Sequence, residues 1–137
     1  MQSNTRVGDI PVLAGEDLTG KEGCLVKLTH DTQVPEVLLP TAADDYAIYA
    51  LVEAGEDADL VTVRPLATDR NVRLRLNGTC NPGDVIVPET TGNLGKVRAL
   101  PTAAGTYRGI GIAEEAGVDE QLVLVRPYPL GNITVSA

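Results

Sequence analysis

The side chains that could perform catalysis are few and widely spaced. Two serines, Ser3 and Ser136, stand near the ends of the 137-residue chain, where nothing holds a nucleophile in position. The single histidine, His30, excludes a metal site with several histidine ligands. A continuous strand from Cys24 to His30 would separate these two side chains by about 20 Å. The sequence therefore predicts no catalytic residues, no enzymatic activity and no cofactor.

Two groups of carboxylates could in principle bind Ca²⁺. They are Asp44-Asp45 and the four acidic residues between Glu53 and Asp59. Both groups lack the alternating ligands and the closing bidentate Glu of an EF-hand. The glycines do not have the spacing of a phosphate-binding loop. We therefore interpret the acidic groups as solvated turns and expect no metal site.

Charge and hydropathy exclude other classes of partner. The net charge of −8 argues against nucleic acid, which requires a basic surface. No stretch approaches the roughly 18 apolar residues of a membrane span. The polar start at residues 1–6 has no apolar core of a signal peptide. We expect synthesis in the cytoplasm, no membrane partner, and free thiols at Cys24 and Cys80.

The pattern of apolar runs predicts one all-β domain. Short runs rich in Val, Leu and Ile alternate with turn residues every dozen or so positions, which is typical of a β-barrel or sandwich. The chain has no Phe or Trp, and a core without large rings buries less area per side chain. Binding to a larger surface or oligomerisation would supplement it. We expect the domain to span residues 14–137 and residues 1–13 to form an extended N-terminal arm, because Pro11 favours an extended backbone before it.

A hexapeptide occurs twice, at Leu60–Pro65 and Leu122–Pro127, with five of its six residues identical. Each copy follows an Ala-Gly turn, and the sequence Pro-Thr-Ala-Ala also occurs twice. This recurring order predicts two similar half-repeats that pack together, at about 23–66 and 83–128. The two hexapeptides are predicted to be strands buried on both faces of one core, each ended by its proline.

Arginines are concentrated between the two halves. Arg70, Arg73 and Arg75 fall within six positions of an acidic chain. They are either charges that discourage pairing at the edge of a sheet or a contact patch for an acidic partner or a neighbouring subunit. Arg64 and Arg126 end the two hexapeptide strands, and we expect both to reach carboxylates near the acidic turns.

The chain resembles the small head-decoration (cement, capsid-stabilising) proteins of tailed bacteriophages from about Leu13 to Pro129. The resemblance rests on turn-and-strand patterns, namely Ala-Gly-Glu-Asp-Leu-Thr-Gly-Lys at 14–21, the strand 25–28, Pro-Gly-Asp-Val-Ile-Val at 82–87, Gly-Asn-Leu-Gly at 92–95 and the segment 107–115. It implies a β-rich fold without enzymatic activity that binds the outside of the mature capsid. The implied partner is the major capsid protein, and such proteins are often homotrimers at three-fold positions.

The same resemblance implies candidate contact residues. N-terminal arms commonly make the capsid contact in these proteins, which makes Arg6, Val7, Ile10 and Val12 the candidate capsid-binding residues. Arg70, Arg73 and Arg75 are the candidates for a subunit or partner contact.

Two other functions stay open at this stage. A ligand- or carbohydrate-binding β-barrel module would need an aromatic platform or a polar pocket, and the four tyrosines are scattered along the chain. A cysteine-dependent enzyme would lose its activity on alkylation of its thiols.

Overall fold

The computed structural model describes residues 8–42, 45–89 and 92–136, which form β-strands and no α-helix. The all-β prediction is confirmed. The described strands are β1 (Ile10–Ala14), β2 (Leu25–Asp31), β3 (Val34–Leu38), β4 (Tyr49–Glu53), β5 (Leu60–Pro65), β6 (Val72–Arg75), β7 (Val85–Pro88), β8 (Val97–Ala99), β9 (Gly105–Ala113) and β10 (Leu122–Val135).

The strands form two sheets. The first is a closed barrel in the order β1-β3-β2-β4-β5, and the second is an open sheet in the order β6-β10-β9-β7-β8. Strand β1 closes the barrel because it pairs antiparallel with β5 along four residues and parallel with β3 at two. Residues 10–13 of the predicted arm therefore belong to the barrel, so the domain begins earlier than the predicted boundary at residue 14. Residues 1–7 lie outside the described part of the chain.

Two clusters of buried apolar side chains form the cores of the molecule. One fills the barrel and includes Val61 and Val63 of β5. The other includes Val123 and Val125 of β10, together with residues such as Leu25 on the outer side of the barrel. The open sheet therefore packs against the outside of the barrel, and the prediction that both hexapeptides lie in one core is wrong.

Both hexapeptides are strands, but they differ from the prediction in two respects. Burial alternates along each copy, and Leu60 at the start of β5 is 68% exposed, so neither strand is buried on both faces. Strand β5 ends at Pro65 as predicted, whereas β10 continues past Pro127 to Val135. The pairing of β10 with β9 is irregular between Pro127 and Gly131, and this bulge accommodates residues that cannot continue a regular ladder.

The two sheets share their strand order, since each barrel strand has a counterpart five strands later. The turn before each hexapeptide also recurs, because Ala58 and Glu120 both have a φ of 70°. The Ala58 N–H donates to the Ala14 carbonyl (2.9 Å), and the Glu120 N–H donates to the Leu76 carbonyl (2.8 Å). The two half-repeats stay a prediction. These bonds support it and extend the similarity to β1 and β6, which the predicted bounds left out.

Candidate functional site

The candidate capsid-binding residues fall in different environments. Arg6 and Val7 lie outside the described residues. Ile10 is half-buried at the start of β1, whereas Val12 is only 8% exposed and packs inside the barrel. The Val12 side chain therefore offers little surface for a contact with another protein while β1 remains in the barrel, although it lines part of the slot described below.

Strand β1 is fastened to the end of β5 by an ion pair. Arg64 donates from Nε to Asp9 Oδ1 (2.7 Å) and from Nη2 to Asp9 Oδ2 (3.1 Å). These hydrogen bonds hold the pKa of Asp9 below its ordinary value and raise the pKa of Arg64. The carboxylate that Arg64 reaches is thus at the N-terminal end of the chain and not in the acidic turn. Arg126 pairs with Glu114 (3.1 Å), just before the Ala-Gly turn, as expected.

An apolar slot opens where β1 meets β3. These strands pair only through Leu13 with Glu36 and Ala14 with Val37, and their remaining residues diverge. The slot has a volume of about 570 Å³. Its lining is apolar, and the residues that matter here are Ile10, Pro11, Leu28, Val34, Pro35 and Leu60. Leu28, Val34 and Leu60 are exposed, so the slot presents hydrophobic surface beside Ile10 at the start of β1.

The three clustered arginines make contacts within the chain. Arg73 lies 3.3 Å from Glu115 and donates to the Leu122 carbonyl (3.1 Å). Arg75 donates to the backbone carbonyls of Glu22 (3.1 Å) and Glu120 (3.0 Å). Two of the three arginines therefore fasten β6 to its surroundings. Arg73 remains exposed and can also face a partner.

A groove that was not predicted lies between the barrel and the open sheet. We call it the tyrosine groove; its volume is about 500 Å³, and its lining includes Tyr46, Ile48, Leu66, Arg108, Ile110 and Tyr128. Tyr46 is 83% exposed and Tyr128 is 56% exposed. Three residues, 128–130, stand opposite Ile110 alone in the bulge of β10, and a bulge of this kind re-aims side chains. The bulge brings Tyr128 into the groove that also holds Tyr46.

This groove supplies the aromatic platform that the spacing of the tyrosines did not indicate. Tyr46 lies in the loop before β4 of the barrel and Tyr128 lies in β10 of the open sheet, so only the packing of the two sheets brings them to one groove. The sequence feature that could have indicated the bulge at Tyr128 is Pro127-Tyr128-Pro129, because prolines within a strand indicate irregular pairing.

The thiols are unsuited to nucleophilic chemistry. Cys24 and Cys80 are both free and buried, as the sequence predicted for their redox state. Burial raises the pKa of each thiol, which disfavours the reactive thiolate. Among the described residues, no three His, Cys, Asp or Glu side chains are grouped so that they could hold a metal ion.

One predicted solvated turn is anchored by a charged side chain. Asp45 Oδ2 accepts hydrogen bonds from Lys27 Nζ (3.0 Å), the Thr41 N–H (2.7 Å) and the Ala42 N–H (3.2 Å). These donors hold the pKa of Asp45 well below its usual range. Asp44 lies outside the described residues. The Asp45 carboxylate therefore links the backbone of Thr41 and Ala42 to Lys27 of β2.

No helix that could cross a membrane occurs in the described part of the chain. No protein-family model and no curated protein matches the sequence. Among solved structures, the chain is similar to the N base of head fiber gp8.5 from bacteriophage phi29. The TM-score is 0.66 at 17% sequence identity, over 94% of this chain and 98% of that one. The likeness shows that the two chains share a fold along nearly their whole lengths.

Proposed function

We propose that this chain is a structural protein of a phage head, located on the outer surface of the capsid. The observation that carries the proposal is the fold shared with a phage head fiber base, which covers almost all of both chains. The resemblance of the sequence to head-decoration proteins rests on separate observations and leads to the same class. The absence of a reactive thiol or a metal-ligand group among the described residues is compatible with a structural role.

The N-terminal segment and the apolar slot form the proposed capsid contact. Residues 1–7 precede Ile10, which itself lines the slot, and seven residues reach at most about 25 Å. Exposed Leu28 and Val34 lie on the same surface. Burial of this apolar surface would favour association by about 25 cal/mol per Å². The partner is the major capsid protein, and a protein that bridges its subunits stabilises the lattice.

Co-sedimentation with heads that lack this protein tests the proposal. The full chain is expected to pellet with heads in saturable amounts and to raise the temperature at which the heads release DNA. Leu28→Asp is expected to weaken binding, because it places an unpaired carboxylate in the proposed interface. Thr106→Asp, a change at another exposed position, on β9, is the control. Failure of the full chain to pellet with heads would refute the capsid role.

The proposed oligomer is a homotrimer, as the resemblance implies. Among the clustered arginines, Arg73 is exposed and available for a subunit contact. Mass measurement by light scattering at micromolar concentration, with and without heads, is the test. A monomer mass in solution together with single copies in capsid density would contradict the trimer.

A second candidate function is favoured by the tyrosine groove. Two exposed tyrosines over an apolar floor are typical of sites that stack a sugar ring or another planar ligand. Titration with soluble oligosaccharides tests this function. Tyr128→Ala should abolish binding, while Tyr107→Phe, outside the groove lining, should retain it.

A further inference from the structure

The sequence contains a single Asn-Gly pair, Asn77-Gly78. In such a pair the backbone nitrogen of the glycine can attack the side-chain amide carbon of the asparagine, because glycine has no side chain to obstruct the approach. A C–N bond forms, the amide nitrogen leaves as ammonia, and water then opens the resulting succinimide. The product is an aspartate or an isoaspartate, in which the main chain runs through the former side chain. Asn77 is therefore a candidate for deamidation.

The structure places this pair in a bend that joins the two outer strands of the open sheet. Leu76, directly after β6, forms a parallel bridge with Val97 of β8, and the Asn77 N–H donates to the Val97 carbonyl (2.8 Å). On the other side of the bend, Cys80 and Gly117 exchange two backbone hydrogen bonds of 3.1 Å each. The bend is therefore fixed at both ends, by the contact between β6 and β8 and by the segment before β10.

Two carboxylates hold the groups that would react. Asn77 Nδ2 donates to Glu89 Oε2, and Glu89 is buried and also accepts from Arg98 Nη1 (3.1 Å). This hydrogen bond restrains the Asn77 amide in its present orientation. The Gly78 N–H donates to Asp119 Oδ1 (2.9 Å), and a negative acceptor disfavours loss of the proton that the nitrogen must give up to attack. Both contacts therefore oppose deamidation while the bend is intact.

Either product of the reaction conflicts with this arrangement. An aspartate at position 77 would set a second carboxylate against Glu89, and burial strengthens the repulsion between like charges. An isoaspartate would lengthen the main chain by a carbon atom between Leu76 and Cys80, whose backbone contacts fix the span of the bend. Because the ammonia has left, closure of the bend cannot reverse the reaction. Deamidation would therefore hold β6 and β8 apart.

We propose that Asn77 is a deamidation site whose reaction is controlled by closure of this bend. While Glu89 and Asp119 hold the pair, the chain keeps its amide. When the bend opens, Asn77 reacts, and the product prevents the bend from closing again. The site thus marks, irreversibly, chains in which the contact between β6 and β8 has opened. This inference is independent of the proposed function, because these residues do not line the apolar slot or the tyrosine groove.

Incubation of the full chain at mildly alkaline pH, followed by proteolysis and mass spectrometry, measures the rate of deamidation at Asn77. The folded chain is expected to react about tenfold more slowly than the chain in guanidinium chloride. Asp119→Ala releases the Gly78 N–H and should raise the rate in the folded chain severalfold. Asp57→Ala is the matched control and should leave the rate unchanged, because Asp57 is exposed and holds the corresponding place in the turn before β5. Equal rates in the folded and unfolded chains, or equal rates in the two variants, would overturn the proposed control.

Asn77→Asp reproduces one product and tests its effect on the bend. This variant is expected to lower the thermal unfolding temperature by several degrees. The loss should be smaller when Glu89→Gln is present in both chains compared, because one of the two carboxylates is then removed. Asn71→Asp is the control, since Asn71 also donates to a carboxylate, that of Glu114 (3.1 Å), but at an exposed site where water weakens the repulsion. A loss in Asn77→Asp no larger than in Asn71→Asp, or one that Glu89→Gln does not reduce, would overturn the effect assigned to the product.

Discussion

Asp9 and Arg64 join the first strand of the barrel to its last through two hydrogen bonds of 2.7 and 3.1 Å. They lie 55 residues apart and are each about one-third exposed. Because β1 meets its other neighbour, β3, through only two residue pairs, this ion pair reinforces the backbone pairing of β1 with β5 on which closure of the barrel depends.

We expect Asp9→Asn to reduce the free energy of unfolding at neutral pH by about 0.5–1 kcal/mol, the range for a partly exposed pair with two hydrogen bonds. The ordinary pKa of this carboxyl is 3.8, and pairing lowers it in the folded protein. The contribution is therefore complete above about pH 4 and is lost as the pH falls through the lowered folded-state pKa. Urea unfolding between pH 2 and pH 7 measures it. Asp69→Asn is the control, because Asp69 lies 4.0 Å from Arg70 and is 80% exposed; an equal loss in both variants would contradict the assignment.

Truncation should separate the capsid contact from the fold. A chain that begins at Gly8 retains β1 and is expected to keep its thermal unfolding temperature while its occupancy on heads falls. A chain that begins at Gly15 lacks Val12 and Ala14, which are buried in the barrel, and should lose cooperative unfolding of the barrel. Circular dichroism and co-sedimentation measure the two effects. Unchanged head occupancy for the chain that begins at Gly8 would contradict a role of the N-terminal segment.

The elements that the sequence predicted well are those set by local pattern. Strand β5 begins at Leu60 and ends at Pro65, as predicted, because a β-branched run favours a strand and proline withholds a ladder donor. Apolar and charged residues alternate around Arg73, a pattern typical of a strand with one buried face, and β6 has this alternating burial. The same local reasoning failed at Pro127, because the bulge opposite Ile110 lets β10 continue.

Structural features that depend on contacts between residues far apart in the sequence could not be predicted. The pairing of Ile10 with Val63 places the supposed arm in the barrel, and nothing near Ile10 in the sequence indicates Val63. The tyrosine groove requires Tyr46 from the loop before β4 and Tyr128 from β10. The candidate site was therefore missed because packing of the sheets, and not spacing along the chain, creates it.

The turn of the hairpin between β2 and β3 has a strained backbone, and other residue types would adopt its conformation at lower cost. Thr32 and Gln33 form its two-residue turn with φ values of 50° and 68°, a conformation that favours Asn and Gly. The left-handed region costs about 1–2 kcal/mol for an ordinary residue. Replacing the pair by Asn-Gly should therefore raise the free energy of unfolding by about 1–2 kcal/mol. Thr102→Asn, exposed and without a positive φ, should give no gain; a gain there would show that the turn geometry is not the cause.

The recurring left-handed turn predicts matched effects in the two sheets. Ala58→Gly should stabilise the chain by about 0.5–1 kcal/mol, because glycine adopts a positive φ without steric cost. Glu120→Gly should stabilise it less, since Glu120 also pairs with Lys96. Ala104→Gly, exposed and without a positive φ, should be neutral or destabilising. Thermal and urea unfolding measure the differences, and a loss of stability in Ala58→Gly would contradict the shared turn.

The junction of the two sheets has no room for a side chain at Gly23. Its N–H donates to the Leu51 carbonyl of the barrel (2.8 Å), and its carbonyl accepts from the Arg75 N–H of the open sheet (2.8 Å). A Cβ at this position would overlap Leu122 Cδ2 and lie 3.1 Å from the Arg75 nitrogen. Gly23→Ala must therefore displace the end of the Leu122 side chain and shift the Arg75 backbone by a few tenths of an ångström, as well as strain a φ of 83°.

We expect Gly23→Ala to lower the free energy of unfolding by about 2–4 kcal/mol, from overpacking and backbone strain together. Gly20→Ala is the matched control, because Gly20 has a φ of 75° and a Cβ added there would meet no atom within 4 Å. Gly20→Ala should lower the free energy of unfolding only by the cost of a positive φ, which is about 1–2 kcal/mol. Urea unfolding measures the free energy of unfolding of both variants. The loss in Gly23→Ala minus the loss in Gly20→Ala is the cost of the added contact between the sheets. Equal losses would mean that an added Cβ at Gly23 is accommodated without cost, which would contradict a tight contact between the sheets at this junction.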